Sequence, residues 1–277
     1  MTLSPGIAGT PFVKMHGAQN HFVIVDARKD AFSPSVADIV EICDSEAGVG
    51  ADELIVIEAA QNGNDAFMRI FNLDGLEVEA CGNATRCVAW ILFEEGETDE
   101  ATIETLAGEL TCLRVGDKLV SATMGKVSMD WQTVPLSEKR DTLHLGLVSG
   151  GLSDPVAVNV GNPHAVFFVD DLDEIDIIVD APPIQTHELF PNEVNVGVAQ
   201  ILSPKKIRLK VYERGAGLTM ACGSGACAAV YAAQQRGLVG SSSTQVELPG
   251  GVVQIEIRDD STAVMTGPVA YSFNGML

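Results

Sequence analysis

The amino-acid sequence predicts an α/β (α+β) protein made of two equivalent halves, and three observations support that class. The chain has 277 residues, of which 46% are hydrophobic, which is enough to form the cores of two domains of ordinary size. Two pairs of segments repeat in the same order along the chain. Short apolar runs typical of strands outnumber the segments with the composition of helices. Each half should therefore be one domain.

The first repeat contains the two cysteine-glycine steps of the chain. Met68–Phe71 (MRIF) aligns with Leu209–Tyr212 (LKVY), and each is followed at the same spacing by the cysteine of an Ala-Cys-Gly. The second repeat pairs GAQNHFVIVD, residues 17–26, with GNPHAVFFVD, residues 161–170. Because the two offsets along the chain are nearly equal, they indicate two structurally equivalent halves rather than chance similarity.

A change from an alternating strand to a polar segment near Gly125 predicts the boundary between the halves. The first half is predicted as residues 1–125, carrying Cys81 and rejoined by 268–277, and the second as residues 126–267, carrying Cys222. The clearest predicted strands are Phe22–Val25, Leu54–Ile57, Leu119–Met124, Val166–Val169, Lys206–Tyr212 and Val252–Ile257. The predicted helices are Gly82–Phe93 and Ser224–Gln235, with shorter ones at Ser35–Cys43 and Asp171–Val179.

The composition argues against several classes of partner. With 38 acidic and 17 basic residues, the net charge of −21 would repel both a nucleic-acid backbone and an anionic membrane surface. Residues 1–10 lack the basic start and apolar run of a secretory signal, and no stretch is apolar enough to span a membrane. We therefore expect a cytoplasmic protein that acts on a small molecule and has no nucleic-acid or membrane partner.

The six cysteines do not predict a disulfide framework, because the chain is long and a reducing compartment is expected. The C-x5-C spacing from Cys81 and the C-x4-C spacing from Cys222 fit structural zinc sites poorly, so no metal site is predicted. A disulfide between these two cysteines would be an oxidised, inactive state. The remaining cysteines are expected to be small buried hydrophobic residues: Cys43, Cys87, Cys112 and Cys227.

Both cysteine-glycine steps lie between a strand and a segment rich in small helix-forming residues, which places each cysteine at a helix N-terminus. Unpaired backbone N–H groups there favour a thiolate, so we expect the pKa of Cys81 and of Cys222 to lie below the usual value of about 8.5. The same N–H groups are suited to holding a carboxylate. The glycine-rich strings lack the GxGxxG and GK[ST] patterns, so no nucleotide site is predicted.

Two such helix ends that faced each other across a cleft would place one sulfur on each side of a substrate carbon. Inversion at an α-carbon requires one group to remove the proton and a second, on the opposite side, to supply a new one. A thiolate and a thiol fulfil these roles, and the N–H groups would stabilise the charge that develops on the carboxylate. This scheme requires no pyridoxal lysine, and no cofactor is predicted.

The segments around the two cysteines resemble the active-site signatures of diaminopimelate epimerases. These segments are EACGNATRC, residues 79–87, and ERGAGLTMACGSGAC, residues 213–227. Supporting blocks follow in the expected order: MHGAQNHFVIVD, GADELIV, FNLDGLEVEACG, GNPHAVFF and NEVNVG. The resemblance covers nearly the whole chain. It implies two pseudo-symmetric domains, each a mixed, largely antiparallel sheet wrapped around a central helix, and a homodimer.

The resemblance also implies an activity and a set of site residues. The activity is a cofactor-independent interconversion of LL- and meso-2,6-diaminopimelate, in the synthesis of lysine and of peptidoglycan precursors. Cys81 and Cys222 are implied as the catalytic acid/base pair, assisted by His164 and Glu213. The implied substrate-binding residues are Asn20, Glu53, Asn72, Gly82, Asn83, Asn162, Asn195, Glu213, Arg214, Gly223 and Ser224.

Several positions depart from the family pattern or have a simpler interpretation. Gln19 and His21 flank Asn20 where glycine and aspartate are common, and Ala84 and Leu218 replace a frequent glycine and a frequent glutamate. Glu53 stands where glutamine is common, and its charge would alter recognition if it pointed into the cleft. Taken singly, the asparagines at 72, 162 and 195 also fit turns, His164 a structural role and Arg214 a surface ion pair.

Two other functions fit parts of the sequence. One is another two-cysteine racemase, such as a histidine racemase or a hydroxyproline epimerase. The set of Asn72, Asn162, Asn195 and Arg214 favours instead a substrate with a second polar head. The other is a redox-sensing or metal-binding protein without turnover, which would exchange no α-proton.

Overall fold

The computed structural model describes residues 3–277, so the first two residues of the predicted N-terminal half, Met1 and Thr2, lie outside the described part. The chain forms two compact units. Unit 1 contains the chain up to Ala122 together with Thr266–Leu277, and unit 2 is Thr123–Met265. Strands dominate both units, and the predicted α/β class is confirmed.

The elements up to residue 126 are β1 (Pro11–Gly17), β2 (Asn20–Asp26), α1 (Val36–Cys43), β3 (Glu53–Glu58), β4 (Ala66–Asn72), β5 (Glu77–Val78), α2 (Gly82–Gly96), β6 (Glu100–Thr105), β7 (Gly108–Gly116) and β8 (Leu119–Lys126). The later elements are β9 (Val148–Ser149), β10 (Leu152–Ser153), β11 (Val156–Asn159), β12 (Pro163–Val169), a 3₁₀ turn (Leu172–Glu174), α3 (Ile177–Asp180), α4 (Pro182–Gln185), β13 (Asn195–Ser203), β14 (Lys206–Glu213), β15 (Gly217–Leu218), α5 (Gly223–Gln235), β16 (Thr244–Leu248), β17 (Gly251–Ile257), β18 (Thr262–Pro268) and β19 (Ala270–Met276).

The two units repeat one pattern of strand pairing. In unit 1, β1 pairs antiparallel with β2, β2 parallel with β3, β3 antiparallel with β4, β4 parallel with β6, and β6 antiparallel with β7. In unit 2 the same sequence of relations joins β11, β12, β13, β14, β16 and β17. In addition, β19 pairs antiparallel with β1 in unit 1. The sequence repeat therefore corresponds to a repeat of topology.

Each unit packs its strands against one helix, α2 or α5. Helix α5 contains a run of small residues, and six of its buried side chains are alanine or cysteine. Small side chains on every face allow strands to approach the helix on all sides, and a helix that is apolar all round is typically buried. In unit 1, α2 packs in a core with Met15, Ile55 and Ile70.

The sequence also determines where these helices begin and end. Cys81 and Cys222 have extended backbone conformations, with φ of −144° and −125°, and each is the N-cap residue that precedes a glycine. Helix α2 ends at Glu97, which adopts a left-handed conformation and donates its N–H to Phe93 O. Helix α1 is preceded by Ser35, which forms a reciprocal capping box with Asp38.

The prediction of one helix over Asp171–Val179 is wrong. The 3₁₀ turn Leu172–Glu174 is followed by Ile175 in an extended conformation, and only then does α3 begin. The Asp171 carboxylate accepts the backbone N–H of Asp173, which competes with the helical pattern. Asp173 is in turn held by an ion pair with Arg208 of β14. No helix formed by residues 3–277 is long and apolar enough to cross a membrane.

Candidate active site

Three elements of unit 1 begin close to one another and bring Asn20, Glu53 and Cys81 together. Strands β2 and β3 are parallel neighbours that start at Asn20 and Glu53, and α2 starts directly after Cys81. The Cys81 thiol donates to Asn20 Oδ1 at 3.7 Å, and the charge of Glu53 raises the pKa of this thiol. Ala18 and Gln19 form the turn before Asn20 with φ of 51° and 61°, a conformation that closes a tight hairpin.

A chain of side-chain amides extends from Cys81 to a buried arginine. Asn83 Nδ2 donates to Asn20 Oδ1 at 3.1 Å, and Arg86 Nη2 donates to Asn83 Oδ1 at 2.9 Å. Because a guanidinium is only a donor, Asn83 must accept with its oxygen and therefore donates with its nitrogen to Asn20. Asn20 Nδ2 donates to the Asp52 carboxylate at 3.2 Å, which fixes the Asn20 amide from its other side. The Asn20 oxygen thus faces the Cys81 sulfur.

Arg86 is fully buried, and two glycines provide the space for its guanidinium. A Cβ atom on Gly17 would lie 3.2 Å from Arg86 Nη2, and one on Gly267 would lie 3.0 Å from Arg86 Cζ. Gly17 ends β1, whereas Gly267 belongs to β18. The sequence interpretation missed Arg86 and Asp52. The role of Arg86 could have been predicted from its position, because it lies one helical turn after Asn83 in the EACGNATRC segment.

Unit 2 presents Cys222 at the equivalent position of α5. The Cys222 sulfur accepts the Gly225 N–H at 3.4 Å and lies 3.6 Å from Ser224 Oγ. The Glu213 carboxyl group raises the pKa of the Cys222 thiol and accepts a hydrogen bond from the Thr219 hydroxyl. Glu213 is the last residue of β14, so strand and helix meet at the sulfur in this unit as well.

His164 is buried at the start of β12 and contacts the same cluster. Its Nε2 lies 2.9 Å from Asn162 Oδ1 and 3.1 Å from Ser224 Oγ. Burial, and then the charge of Arg214, lower the pKa of His164 to about 3. The imidazole is therefore neutral near neutral pH and acts as a hydrogen-bond partner rather than as a charged group.

Asn195 and Arg214 form the far side of the cluster in unit 2. Asn195 Oδ1 accepts the backbone N–H of Arg214 at 2.8 Å, and its Nδ2 donates to Pro163 O at 3.2 Å. The Arg214 guanidinium is exposed and donates through Nη1 to Asn192 O at 2.8 Å. Asn195 thus fixes the position of the backbone at Arg214, the residue that follows Glu213.

The structure sorts the predicted site residues into two clusters. Unit 1 contains Asn20, Glu53, Asn72, Cys81, Gly82 and Asn83, and unit 2 contains Asn162, His164, Asn195, Glu213, Arg214, Cys222, Gly223 and Ser224. Asn72 is the last residue of β4 and lies opposite Glu53 in the β3–β4 pair. Its backbone accepts from Gly75 and donates to Leu76, as the turn interpretation predicted.

The expected lowering of the cysteine pKa values is wrong for both residues. Burial raises the pKa of the Cys81 thiol well above its ordinary value, and the Glu53 carboxylate raises it further. Burial and then Glu213 likewise raise the pKa of Cys222. The N–H groups at the helix ends lower both values by smaller amounts. Desolvation of a charged sulfur outweighs the helix terminus, so both groups are thiols near neutral pH.

Comparison with known proteins matches the sequence of this chain to one family. The model of the family "Diaminopimelate epimerase" matches residues 12–130 and 156–272. The chain is also 48% identical to a diaminopimelate epimerase of Phenylobacterium zucineum, over 97% of this chain and 98% of that relative. The chain belongs to the diaminopimelate epimerase family. Membership in this family confirms the prediction that the chain is an isomerase, of the epimerase type.

Solved structures with the same fold come from proteins with other names. A hydroxyproline epimerase from Agrobacterium vitis has a TM-score of 0.71 at 14% identity, and the match covers all of this chain and 92% of that one. A phenazine biosynthesis protein of the PhzF family from Bacillus anthracis has a TM-score of 0.70 at 17% identity, with 97% and 98% covered. At these identities the likeness shows only the fold, which this member of the diaminopimelate epimerase family shares.

Proposed function

We propose that the chain interconverts LL- and meso-2,6-diaminopimelate without a cofactor, in the synthesis of lysine and peptidoglycan precursors. One observation carries the mechanism. Cys81 and Cys222 occupy the same N-cap position of equivalent helices, and a carboxyl group raises the pKa of each thiol, Glu53 for Cys81 and Glu213 for Cys222. The names of the relatives at 41–48% identity support diaminopimelate as the substrate.

In the proposed reaction the two cysteines act on opposite sides of the substrate α-carbon. The thiolate of one removes the α-proton, and the thiol of the other delivers its proton to the opposite side. The C–H bond that breaks and the C–H bond that forms belong to the same carbon, so its configuration inverts. The first-turn N–H groups of Gly82, Asn83, Gly223 and Ser224 are suited to hold the substrate α-carboxylate.

One sulfur must lose its proton before this reaction, because both thiol pKa values are raised. Glu213 is suited to take the Cys222 proton, since it interacts with that thiol and burial raises its own pKa above the ordinary carboxyl value. A carboxyl group of raised pKa is a stronger base than an exposed one. His164 stays neutral and orients Ser224, and so we assign it a positioning role in the thiol–thiolate balance.

The other predicted residues would bind the distal end of the substrate. Diaminopimelate has a second amino-acid head group, whose carboxylate suits the exposed Arg214 guanidinium and whose ammonium suits asparagine oxygens. Asn72, Asn162 and Asn195 lie within the two clusters and supply such oxygens or N–H groups.

The mechanism predicts that either cysteine is essential. Cys81→Ala and Cys222→Ala should each lower the rate of epimerisation by at least about 100-fold, because each removes one proton-transfer group. Deuterium incorporation at the α-carbon and the LL/meso ratio, measured with LL-diaminopimelate in deuterated water, check this outcome. Cys87→Ala and Cys227→Ala are the matched controls, since both thiols are buried in the cores, and these variants should retain turnover.

Two results would contradict the proposal. Undiminished turnover in either of the first two variants would refute the two-cysteine mechanism. Activity of the unmodified chain on histidine or hydroxyproline, with none on LL-diaminopimelate, would overturn the substrate assignment and leave the mechanism standing.

We also propose that the chain is a homodimer, as the resemblance to its family suggests. Strand β19 supports this proposal, because Tyr271, Phe273 and Met276 expose 54%, 45% and 61% of their surface. Exposed apolar side chains grouped on one strand are typical of a protein interface.

A further inference from the structure

Thr219 holds the carboxyl group of Glu213, which takes the proton of Cys222 in the proposed reaction. The Thr219 hydroxyl donates to Glu213 Oε1, and both residues are partly buried. A hydrogen bond from a hydroxyl to a carboxylate stabilises the ionised form more than the neutral form. Thr219 was not among the site residues predicted from the sequence, and its contact with Glu213 makes it a candidate for a role in the site.

The hairpin of β14 and β15 directs this pair toward the N-terminus of α5. Thr219 directly follows β15 and donates its N–H to Val211 O of β14 at 3.3 Å. Because side chains alternate along a strand, those of Val211, Glu213 and Thr219 share one face of the hairpin. Val211 packs against α5, since its Cγ2 would lie 2.8 Å from a Cβ atom on Gly225. Gly225 donates its N–H to the Cys222 sulfur, so this face of the hairpin is the one turned to the catalytic helix end.

Unit 1 contains the same hairpin without the hydroxyl. Strands β4 and β5 pair antiparallel in the same register as β14 and β15. Asn72 and Val78 therefore occupy the positions of Glu213 and Thr219, each counted from the cysteine that follows. Valine has the shape of threonine but no donor. The hydroxyl is present where the hairpin carries a carboxyl group and absent where it carries an amide, which indicates that it serves the carboxyl group rather than the fold of the hairpin.

The charge state of Glu213 depends on this contact. Burial raises the pKa of Glu213, and the hydrogen bond from Thr219 and then the Cys222 thiol counteract part of that rise. The other two ionisable residues of the unit 2 cluster, His164 and Arg214, make their hydrogen bonds with other groups. Loss of the Thr219 hydroxyl would therefore leave less of the Glu213 carboxyl group ionised at a given pH.

We propose that Thr219 is a positioning residue for proton transfer at Cys222: its hydroxyl fixes the rotation of the Glu213 carboxyl group and keeps that group ionised. The inference rests on the proposed function, in which Glu213 takes the thiol proton of Cys222. The proton moves from sulfur to a carboxylate oxygen, and the electron pair of the S–H bond remains on sulfur. The hydroxyl proton of Thr219 stays on its own oxygen throughout.

Thr219→Val tests this role, because it removes the hydroxyl and keeps the shape that unit 1 already accommodates as Val78. The pKa of Glu213 should rise by at least about half a pH unit, since a donor to the ionised form is lost. NMR of the glutamate carboxyl carbons measures this pKa, and the Glu213 signal is identified by its loss in Glu213→Gln. The acid limb of the pH profile of kcat/KM should move to higher pH by a similar amount, because more of the base is protonated at a given pH.

Two further variants are the controls. Thr219→Ser keeps the hydroxyl and should keep both the pKa of Glu213 and the acid limb. Val78→Thr makes the reverse exchange at the equivalent position of unit 1 and should leave both quantities unchanged. An unaltered pKa of Glu213 in Thr219→Val would overturn the inference. A rise of the same size in Thr219→Ser would also overturn it, because the effect would then come from the packing of the methyl group.

The titration of the carboxyl group needs no turnover, and so the two proposals fail separately. If the chain exchanged no α-proton of diaminopimelate while the pKa of Glu213 still rose in Thr219→Val, the proposed function would fall and the control of Glu213 by Thr219 would stand. If exchange proceeded while either the pKa of Glu213 or the acid limb did not respond, only the role of Thr219 would fall.

Discussion

The environment of Arg86 depends on two glycines that are far apart in the sequence. Gly17 and Gly267 leave the space that the guanidinium fills, and Arg86 in turn fixes the orientation of Asn83 and Asn20. A buried cation needs hydrogen-bond acceptors, and the amide oxygen of Asn83 is one of them. The geometry around Cys81 therefore depends on residues that never touch the sulfur.

At this scale we predict that Gly267→Ala destabilises the protein and slows epimerisation. The new Cβ would lie 3.0 Å from Arg86 Cζ and 3.1 Å from Arg86 Nη2, so the guanidinium must shift and its hydrogen bond with Asn83 is disturbed. Overpacking of this kind costs about 1–3 kcal/mol. Urea unfolding and the rate of α-proton exchange check both effects. Gly116→Ala is the control, because its Cβ would only approach Leu119 at 3.5 Å. Equal free energies of unfolding for Gly267→Ala and the unmodified chain would contradict the prediction.

At the scale of elements, α5 must pack against β14 and hold Cys222 at its N-terminus at the same time. Gly225 donates its N–H to the sulfur and lies against Val211 of β14. A side chain at this position would fill the gap that lets helix and strand approach. The absence of a side chain at Gly225 therefore serves the site, at some cost to the intrinsic stability of the helix.

Gly225→Ala should accordingly lower activity although alanine is the better helix former. Its Cβ would lie 2.8 Å from Val211 Cγ2 and 3.2 Å from Cys222 Sγ. The gain of about 1 kcal/mol in helix propensity is outweighed by these contacts. A displaced sulfur should reduce kcat at least about tenfold. Gly96→Ala in α2, where the nearest atom is 3.5 Å away, should keep full activity. Steady-state kinetics measure kcat for both variants. An unaltered kcat in Gly225→Ala would contradict the prediction and show that the Cys222 sulfur has room to adjust.

The helices that carry the cysteines could be predicted from sequence, whereas their electrostatics could not. Alanine-rich segments after a Cys-Gly step are local signals, so α2 and α5 and their N-caps were predicted correctly. The pKa of each thiol depends on burial by distant strands and on Glu53 or Glu213, which no local pattern reports. The segment 171–179 failed for a related reason, because the Asp171 and Asp173 side chains make contacts that override helix propensity.

At the scale of the whole molecule, charge and exposed apolar surface act in opposite directions on self-association. The net charge of −21 makes two copies repel each other, and salt screens this repulsion beyond about 10 Å at 0.1 M. The exposed apolar side chains of β19 favour association. The proposed dimer should therefore be more stable at higher ionic strength.

Sedimentation velocity should show a dimer whose dissociation constant falls as salt rises. Tyr271→Glu should shift the protein toward the monomer, because it replaces an exposed apolar side chain of β19 by a charge and adds to the repulsion. Val148→Glu is a matched control, since Val148 is 70% exposed and belongs to unit 2. If the unmodified chain sediments as a monomer at every salt concentration, the proposed dimer is wrong.

The pairing of β19 with β1 has a consequence for how the protein is made. The first residues of unit 1 leave the ribosome long before Thr266–Leu277, because all of unit 2 is translated in between. At ordinary translation speed this delay is on the order of ten seconds. During that interval the nascent chain lacks the strand that pairs with β1 and lacks Gly267 beside Arg86, so unit 1 completes its fold only after Thr266–Leu277 have been made.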